Sequence, residues 1–377
     1  MNPRFELLFD CPDTDARLGK LITAHGEIQT PVFMPVGTQA TVKAVNQLDL
    51  QTLGAEIILG NTFHLYLRPG YEIISASGGL QQFTGWGKPM LTDSGGYQVY
   101  SLSSMRKITP DGVKFKSPID GSFHFFSPEK AIDVQLELGA DVIMAFDECT
   151  PYPCTYEYAK SSLATTHTWL ERCQKYFADT EPKHGYNQIL APIVQGSTYT
   201  DLRIESAKFI ADRPAEVNAI GGLSVGEPHE LMYEMTSEVC RFLPHNRARY
   251  LMGVGTPVNL LESIARGIDM FDCVLPTRNA RHGLLYTSEG VMNIKNAKWK
   301  NAYEPICSDS TSVLSQHHSR AYLRHLFHVN EYVGLQIASI HNLSFFLWLI
   351  NEARRKIAAG SFNSWKKDIC EKLVRRL

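Results

Sequence analysis

Eight apolar runs of strand length, each ending in glycine or polar residues, constrain the fold of this chain more than any other feature. They are rich in Val, Ile, Leu and Met without polar alternation, which is typical of parallel strands covered on both faces. Several intervals between them carry helical periodicity, as in 127–139, 198–211 and 257–266. Eight strand–helix units in about 250 residues match the usual size of a (β/α)₈ barrel. The runs cover residues 31–37, 55–61, 89–95, 141–148, 190–196, 217–223, 250–255 and 270–276.

Two segments fall outside this repeat. Residues 1–30 alternate around the pair His25-Gly26, which predicts a β-hairpin that covers the bottom of the barrel. Residues 107–126 alternate around two Asp-Gly pairs, which predicts an antiparallel β insertion after the third strand. This insertion would lie at the top of the barrel, where loops carry function.

The pattern changes again from Asn296 onward, to a loop and then helices. No linker rich in Pro, Gly or Ser splits the chain. The expected fold is therefore α/β, with a (β/α)₈ TIM barrel over residues 1–295 as the catalytic part. A C-terminal helical subdomain over residues 296–377 is expected to pack on this barrel.

Composition narrows the class of protein. With 377 residues, of which 44% are hydrophobic and 20% charged, the chain is expected to be globular. Its net charge of -2 means that a nucleic-acid partner must be met by a local basic patch. We expect no signal peptide, since the start lacks a basic segment followed by an apolar core, and no membrane span, since no apolar run is long enough. Eight scattered cysteines without a CxxC pair are typical of reduced thiols in a cytoplasmic protein.

Residues at the ends of the runs, most of them polar or glycine, form the candidate site. In such a barrel the C-terminal ends of all strands face one pocket. A single Asp at a strand end is usually a turn or capping residue. Three aspartates at the ends of three strands, together with a glutamine, are not typical of a core. The residues are Asn61, Thr62, Asp93, Ser94, Gly95, Gly96, Asp147, Glu148, Gln195, Gly196, Gly221, Gly222, Leu223, Gly253, Val254, Gly255 and Asp272.

Two kinds of chemistry fit this set. Carboxylates and Gln195 can bond the edge of a purine-like base, glycine N–H groups can reach a carbonyl oxygen, and Tyr97 can stack on the base. Asp93 and Asp272 suit glycosidic chemistry, in which one carboxylate attacks the anomeric carbon and the other moves a proton.

Basic residues provide a candidate RNA contact. Arg278 and Arg281 lie in a predicted loop, 277–281, just beyond Asp272, and arginine forks suit phosphates. A solvated basic loop is the alternative. The tail over residues 354–376 is also basic, and it is either a solvated amphipathic helix or a contact to an RNA backbone.

Four segments together resemble the bacterial type of tRNA-guanine transglycosylases (queuine tRNA-ribosyltransferases). They are 91–98 (LTDSGGYQ), 146–149 (FDEC), 221–227 (GGLSVGE) and 271–278 (FDCVLPTR). The resemblance implies exchange of guanine at the wobble position of tRNAs with GUN anticodons, in queuosine formation. The incoming base would be a 7-deazaguanine, either preQ1 or queuine, and Cys149 and Val225 match the bacterial pocket for preQ1. The family also implies a homodimer.

The resemblance implies a role for each matching position. Asp272 would be the nucleophile that displaces guanine and holds the ribose covalently, and Asp93 the proton acceptor that also contacts the base. The base would be bound by Asp93, Ser94, Gly95, Gly96, Tyr97, Asp147, Gln195, Gly222 and Leu223. The anticodon loop would be held by Gly253, Val254, Gly255, Thr256, Pro257, Val258, Asn259, Thr277, Arg278, Asn279, Ala280 and Arg281.

The chain departs from this family at its structural zinc site, in the region 296–377. The three cysteine positions fall on Ser310, Ser312 and Ser315, and only the histidine position survives, as His341. Serine hydroxyls do not supply the thiolate ligands of such sites. We therefore expect no cofactor and no metal, with the zinc lost and packing in its place. The alternative is a rearranged site from Cys307, His317 or His318, and His341.

Two other functions remain open at this level. One is a (β/α)₈ glycoside hydrolase that uses Asp93 and Asp272 on a free sugar. The other is a non-catalytic, tRNA-binding accessory subunit. The base-sized polar pocket argues against the first, and a pure binder has no use for both acids.

Overall fold

A ring of parallel strands forms the centre of the protein, in a computed structural model that describes residues 4–98 and 106–377. The central sheet has nine strand segments, but two of them are halves of the fifth strand, which is interrupted at Pro192. The first half pairs with the fourth strand and the second half with the sixth, so eight strands close into a barrel. Each predicted run overlaps one strand, which confirms the barrel, although the fifth and seventh strands begin before their runs. In chain order they are Val32–Gly37, Ile58–Gly60, Met90–Thr92, Val142–Met144, Ile189–Ala191 with Ile193–Val194, Val217–Ile220, Ala248–Leu251 and Met270–Cys273.

The two faces of the strands belong to two separate apolar cores. In the first strand, Val32 and Met34 point into the barrel, whereas Phe33 packs outward with the surrounding helices. Because both faces are covered, such strands need apolar residues at consecutive positions. This is why the runs show no alternation. Tyr250 of the seventh strand also belongs to the core inside the barrel and is fully buried.

Helices surround the barrel, and their ends carry the signals that predicted them. Ser127 caps Pro128–Leu138 by accepting from the N–H of Lys130, and Gly139 ends this helix in the left-handed region. Helices in all three predicted intervals are confirmed. Helices in this part of the described chain include Gln47–Thr52, Thr62–Leu67, Tyr71–Ala76, Leu80–Thr84, Pro128–Leu138, Tyr156–Asp179, Thr200–Ala211, His229–Cys240, Pro257–Ile264 and Leu275–Arg281.

The N-terminal segment forms three antiparallel strands where the sequence predicted two. Arg17–Thr23 and Gly26–Thr30 make the predicted hairpin, and Phe5–Asp10 adds a third strand to it. Within this third strand only Phe5 is buried, so the sequence carried no regular alternation that would have indicated it. Phe5 and Ile28 join the core inside the barrel, so the sheet covers the end of the barrel as predicted.

The insertion after the third strand is also an antiparallel sheet, as predicted. It consists of Arg106–Thr109, Gly112–Lys116 and Phe123–Phe126. Its first turn requires glycine, because a Cβ on Gly112 would lie 2.2 Å from the carbonyl oxygen of Phe126. The Asp-Gly pair at this turn therefore predicted it for a steric reason.

The C-terminal region begins with a hairpin and continues as helices. The ring of Phe346 lies 5.1 Å from that of Phe33, so the longest helix covers the barrel wall at the first strand. The loop and helices expected after residue 296 are present, whereas the domain boundary at this point stays a prediction. The elements are the strands Leu284–Thr287 and Gly290–Asn293, the 3₁₀ helix Ala297–Asn301, and the helices Val313–His317, Arg320–His328, Tyr332–Ala358 and Phe362–Leu373.

The helix Tyr332–Ala358 corrects the expectation that no segment is long and apolar enough to span a membrane. Its 27 residues pass that test by length and composition, but 78% of the apolar window is buried inside the protein. His341 and Asn342 interrupt the apolar sequence of this helix, so no uninterrupted apolar run within it reaches the length of a membrane span. Both side chains bond backbone carbonyls of neighbouring segments, at Tyr286 and Pro276, so the helix is suited to the interior of a folded protein.

Candidate active site

Strand ends bring four of the predicted side chains into one pocket. Asp93, Asp147 and Gln195 follow the third, fourth and fifth strands, and Asp272 lies in the eighth. Gln195 Nε2 donates to Asp147 Oδ2 at 2.7 Å, and the charge of Asp272 helps to raise the pKa of Asp93. These contacts show the convergence that barrel geometry requires.

Asp93 is held by donors from two neighbouring segments. Asn61 Nδ2 and Gln98 Nε2 both donate to Oδ2, the second at 2.9 Å, and the N–H of Thr62 donates to Oδ1 at 2.9 Å. Burial raises the pKa of Asp93 to about 6, with a smaller rise from the charge of Asp272, while these hydrogen bonds oppose the rise. A carboxyl of this kind can accept and return a proton near neutral pH.

Asp272 is oriented through one of its oxygens. The hydroxyl of Tyr250 and the N–H of Gly253 both donate to Oδ1, each at 2.7 Å. Burial raises the pKa of Asp272, whereas these two donors lower it. Since both donors bond the same oxygen, Oδ2 is the one left to react. A fixed carboxylate with one uncommitted oxygen suits a nucleophile.

Ser94, Asp147 and Gln195 form a connected polar wall, the base wall, beside Asp93 and Asp272. Ser94 Oγ donates to Asp147 Oδ1 at 2.9 Å, while Gln195 holds the other carboxylate oxygen. Gln195 Oε1 is buried and has no hydrogen-bond partner among the described residues. A buried acceptor without a donor costs free energy, so this atom favours a ligand that brings one. The amino group or ring N–H of a purine is such a donor.

Two glycines let the backbone approach this wall. A Cβ on Gly222 would lie 2.2 Å from Gln195 Oε1, and a Cβ on Gly96 would lie 2.6 Å from the carbonyl oxygen of Asp147. Neither position has room for a larger residue. The other predicted base contacts lie next to these glycines in the chain and differ in exposure: Gly95 and Leu223 are buried, and Tyr97 is 50% exposed.

The segment 253–259, predicted to hold RNA, begins next to Asp272 but offers few side chains. Gly253 is exposed, and its N–H is the donor to Asp272. Thr256 caps the helix Pro257–Ile264. An RNA contact in this segment would therefore depend on the backbone and on partly exposed residues. Val254, Gly255, Pro257 and Asn259 are buried, and Thr256 and Val258 are half-buried.

The predicted loop 277–281 is wrong, because these residues belong to the short helix Leu275–Arg281. Pro276 follows an apolar run, which predicts the end of a strand and the start of a loop. It stands in the first turn of the helix, where proline is favoured because its missing N–H is not needed. Thr277 and Ala280 are buried, Asn279 and Arg281 are half-buried, and Arg278 is exposed.

Arg281 carries a donor that is not used within the protein. Its Nη1 is buried and has no partner among the described residues. Burial and the charge of Arg278 both lower the pKa of Arg281. Two neighbouring cations with an unused donor favour binding of an anion such as a phosphate.

Several residues that shape the site were not assigned a role from the sequence. Tyr250 begins a predicted run, but a continuous apolar run does not show which side chains face inward. Asn61 was noted only as a strand end, and Gln98 only as part of a motif. Arg203, in the helix Thr200–Ala211, is fully buried and bonds the backbone next to the base wall. Nothing in its helical sequence marked it.

The serines at the family's zinc positions make hydrogen bonds. Ser315 Oγ lies 2.9 Å from His341 Nδ1, and His341 Nε2 donates to the carbonyl of Tyr286 at 2.9 Å. Ser310 Oγ lies 3.4 Å from Ser344 Oγ. Within residues 4–98 and 106–377, no group of three or more His, Cys, Asp or Glu side chains could hold a metal ion. These residues do not fit the zinc site, and the loss of zinc stays a prediction.

Chelation is expected to leave this protein unchanged. Structural zinc contributes folding free energy directly, so its removal lowers the Tm of a zinc-dependent domain. We predict no stoichiometric zinc in the purified protein by elemental analysis. We also predict the same Tm with and without a strong chelator. One zinc per chain, or a fall in Tm on chelation, would contradict the prediction.

Comparison with known proteins shows the family of this chain. A family model described as "Queuine tRNA-ribosyltransferase" matches residues 11–375. Queuine tRNA-ribosyltransferase of Symbiobacterium thermophilum is 52% identical over 372 residues, 99% of this chain and 92% of its own. That of Caldanaerobacter subterraneus is 51% identical over 95% of this chain and 94% of its own, and that of Halothermothrix orenii 47% identical over 100% and 99%. The chain therefore belongs to the queuine tRNA-ribosyltransferase family.

Proposed function

We propose that this protein exchanges guanine at the wobble position of a tRNA anticodon for a 7-deazaguanine base, through a covalent ribosyl–Asp272 intermediate. The observation that carries the proposal is the pair of differently held carboxylates at the top of the barrel. Two donors bond Asp272 Oδ1, whereas burial and the charge of Asp272 raise the pKa of Asp93 to about 6. Asp272 is therefore the carboxyl with a free oxygen that can attack, and Asp93 the one that exchanges protons.

The first half of the reaction forms the intermediate. Asp272 Oδ2 attacks C1′ of the ribose, the bond from C1′ to N9 of guanine breaks, and its electron pair leaves with the base. A proton from Asp93 neutralises the departing guanine. The polar wall holds the base in place, with Asp147 accepting from its N–H groups and Gln195 Oε1 available for another donor.

The second half reverses these steps with another base. The incoming base gives its N9 proton to Asp93, and N9 then attacks C1′. The bond between C1′ and Asp272 breaks, which restores both carboxyl groups to their starting states. Dividing the exchange in this way replaces one difficult step with two easier ones. Water must be kept from the intermediate, and a buried pocket serves that purpose.

The size of the incoming base is proposed from the residues beside the wall. Cys149 is buried, and Val225 donates its N–H to Glu227 Oε2 at 2.9 Å. These two positions match the bacterial pocket, so we propose preQ1 rather than queuine as the incoming base. Arg278 and Arg281 are proposed to bind the anticodon-loop backbone. A homodimer and a cytoplasmic location stay predictions from the family.

Base exchange into tRNA is the direct test. A tRNA with a GUN anticodon is incubated with labelled guanine, and incorporation is followed with preQ1 or queuine as competitor. We expect incorporation, and we expect preQ1 to compete at lower concentration than queuine. Absence of incorporation, together with cleavage of an aryl glycoside, would support the glycoside hydrolase instead.

The pH dependence of exchange is expected to report Asp93. Its folded-state pKa is raised to about 6, so the carboxylate that accepts the proton predominates above that pH and is lost below it. We predict that kcat/KM for the incoming base falls about tenfold per pH unit below 6 and is level above it. The residual activity of Asp93→Asn is the control, since it lacks this titration. A level profile from pH 8 to pH 5 in the unmodified protein would contradict the assignment.

A further inference from the structure

Arg203 is a buried cation that no carboxylate pairs with among the described residues. Its exposed fraction is 0%, and it is absent from the ion pairs of the described chain. Burial lowers the pKa of Arg203 to about 10, so the guanidinium stays charged at neutral pH. Removing such a charge from water is costly unless its donors are satisfied. The acceptors of its hydrogen bonds therefore indicate the role of Arg203.

All hydrogen bonds of this guanidinium go to backbone carbonyls at the ends of the fifth and sixth strands. Nη1 donates to Gly221 at 2.7 Å and to Val194 at 3.2 Å, and Nη2 donates to Gly222 at 3.0 Å. Nε donates to Ser197 at 2.6 Å. The planar fork thus fixes two consecutive peptide groups, 221–222 and 222–223, from behind the base wall.

The orientation of a carbonyl also sets that of the N–H in the same peptide group. A trans peptide is planar, with its C=O and N–H pointing in opposite directions. Since Arg203 binds the carbonyls of Gly221 and Gly222, the N–H groups of Gly222 and Leu223 point the other way. A Cβ on Gly222 would lie 2.2 Å from Gln195 Oε1, so this glycine stands directly beside the base wall. The N–H of Leu223 has no acceptor among the described residues.

We propose that Arg203 is a positioning residue that aims the N–H groups of Gly222 and Leu223 at a carbonyl oxygen of the bound base. It would thereby set the preference for 6-oxopurine bases without touching them. The inference rests on the proposed function, because it assumes that the pocket binds a guanine-like base. Lysine cannot replace the fork, since its three donors leave from one atom and cannot reach four carbonyls in two strands.

Binding of two free bases to the tRNA-free protein tests this role. Guanine and 2-aminopurine differ in the 6-carbonyl oxygen and in the proton on N1, and calorimetry gives a Kd for each without any need for catalysis. We expect the unmodified protein to bind guanine at least about tenfold more tightly. In Arg203→Lys this ratio should fall, because the share due to the 6-carbonyl oxygen is lost while the share due to N1–H remains. Arg213→Lys, a change in a half-buried arginine that pairs with Glu171 just beyond the same helix, should keep the original ratio.

Each outcome bears on a different claim. If the unmodified protein binds neither base, the proposed function fails first. If Arg203→Lys folds but weakens both bases by the same factor, or changes neither, the positioning role is wrong and the proposed function stands. Circular dichroism and Tm show whether the variant is folded, with Arg203→Gln as a second, smaller replacement. If neither variant folds, Arg203 is a folding residue and the inference is overturned.

Discussion

Replacing Asp272 with Asn is expected to abolish both base exchange and the covalent adduct with tRNA. Asn keeps the size and the contacts of the side chain, but its amide is far less nucleophilic than a carboxylate. Loss of a nucleophile lowers the rate by on the order of 10⁴-fold or more. A denaturing gel of enzyme mixed with guanine-bearing tRNA should show a shifted band that is absent from Asp272→Asn.

The control for this prediction is a change of the same kind on the surface. Asp179 is exposed at the end of the helix Tyr156–Asp179, and Asp179→Asn should exchange guanine at the normal rate. Asp272→Asn should still bind tRNA and keep its Tm, since burial of its charge raises its pKa and is not a source of stability. Normal exchange of labelled guanine by Asp272→Asn would show that another group forms the intermediate.

Replacing Arg17 with Met is expected to have the largest effect on stability. Its guanidinium bonds both carboxylate oxygens of Asp269, through Nε at 3.0 Å and Nη2 at 2.5 Å, and both side chains are buried. It also donates to the carbonyl oxygens of His245 and Arg247, each at 2.6 Å. The substitution would leave a buried carboxylate without its partner, which costs about 3–5 kcal/mol. Urea denaturation would measure this loss in the free energy of unfolding.

Two further variants separate charge burial from loss of packing. Arg241 pairs with Glu238 on the surface, and Arg241→Met should change the free energy of unfolding by less than about 1 kcal/mol. The double variant Arg17→Met, Asp269→Leu removes both buried charges and should recover part of the loss. If Arg17→Met costs no more than Arg241→Met, the buried pair contributes little to stability.

Fold and active-site acids were predictable because they depend on local, regular signals. Continuous apolar runs indicated strands covered on both faces, and barrel geometry then required Asp93, Asp147 and Asp272 to meet. The strand Phe5–Asp10 escaped notice because it lies at an edge and buries little. The helix Leu275–Arg281 was not predicted, because a proline such as Pro276 can either end an element or stand in the first turn of a helix. Only the surrounding packing decides between the two.

Residues that act behind the site could not be predicted in this way. Tyr250 bonds Asp272 in the pocket, whereas Arg203 bonds the backbone behind it. The residues next to each in the sequence are ordinary for a strand and a helix, respectively. Their roles depend on distances between elements far apart in the chain, such as the 2.7 Å between Tyr250 and Asp272. No spacing within one segment records such a distance. The expected loss of the metal site comes from residue types alone, since serines stand where the family resemblance implies cysteines, and it stays a prediction.

The packing of the helix Tyr332–Ala358 against the first strand has a consequence for synthesis on the ribosome. Phe33 and Phe346, whose rings touch, are separated by 346 − 33 = 313 residues. At about 5–20 residues per second, roughly 15–60 s pass between their emergence. During that time the outer face of the first strand has no cover, so the nascent barrel exposes an apolar surface of the kind that chaperones bind. The wall of the barrel can be completed only after nearly the entire chain has been translated.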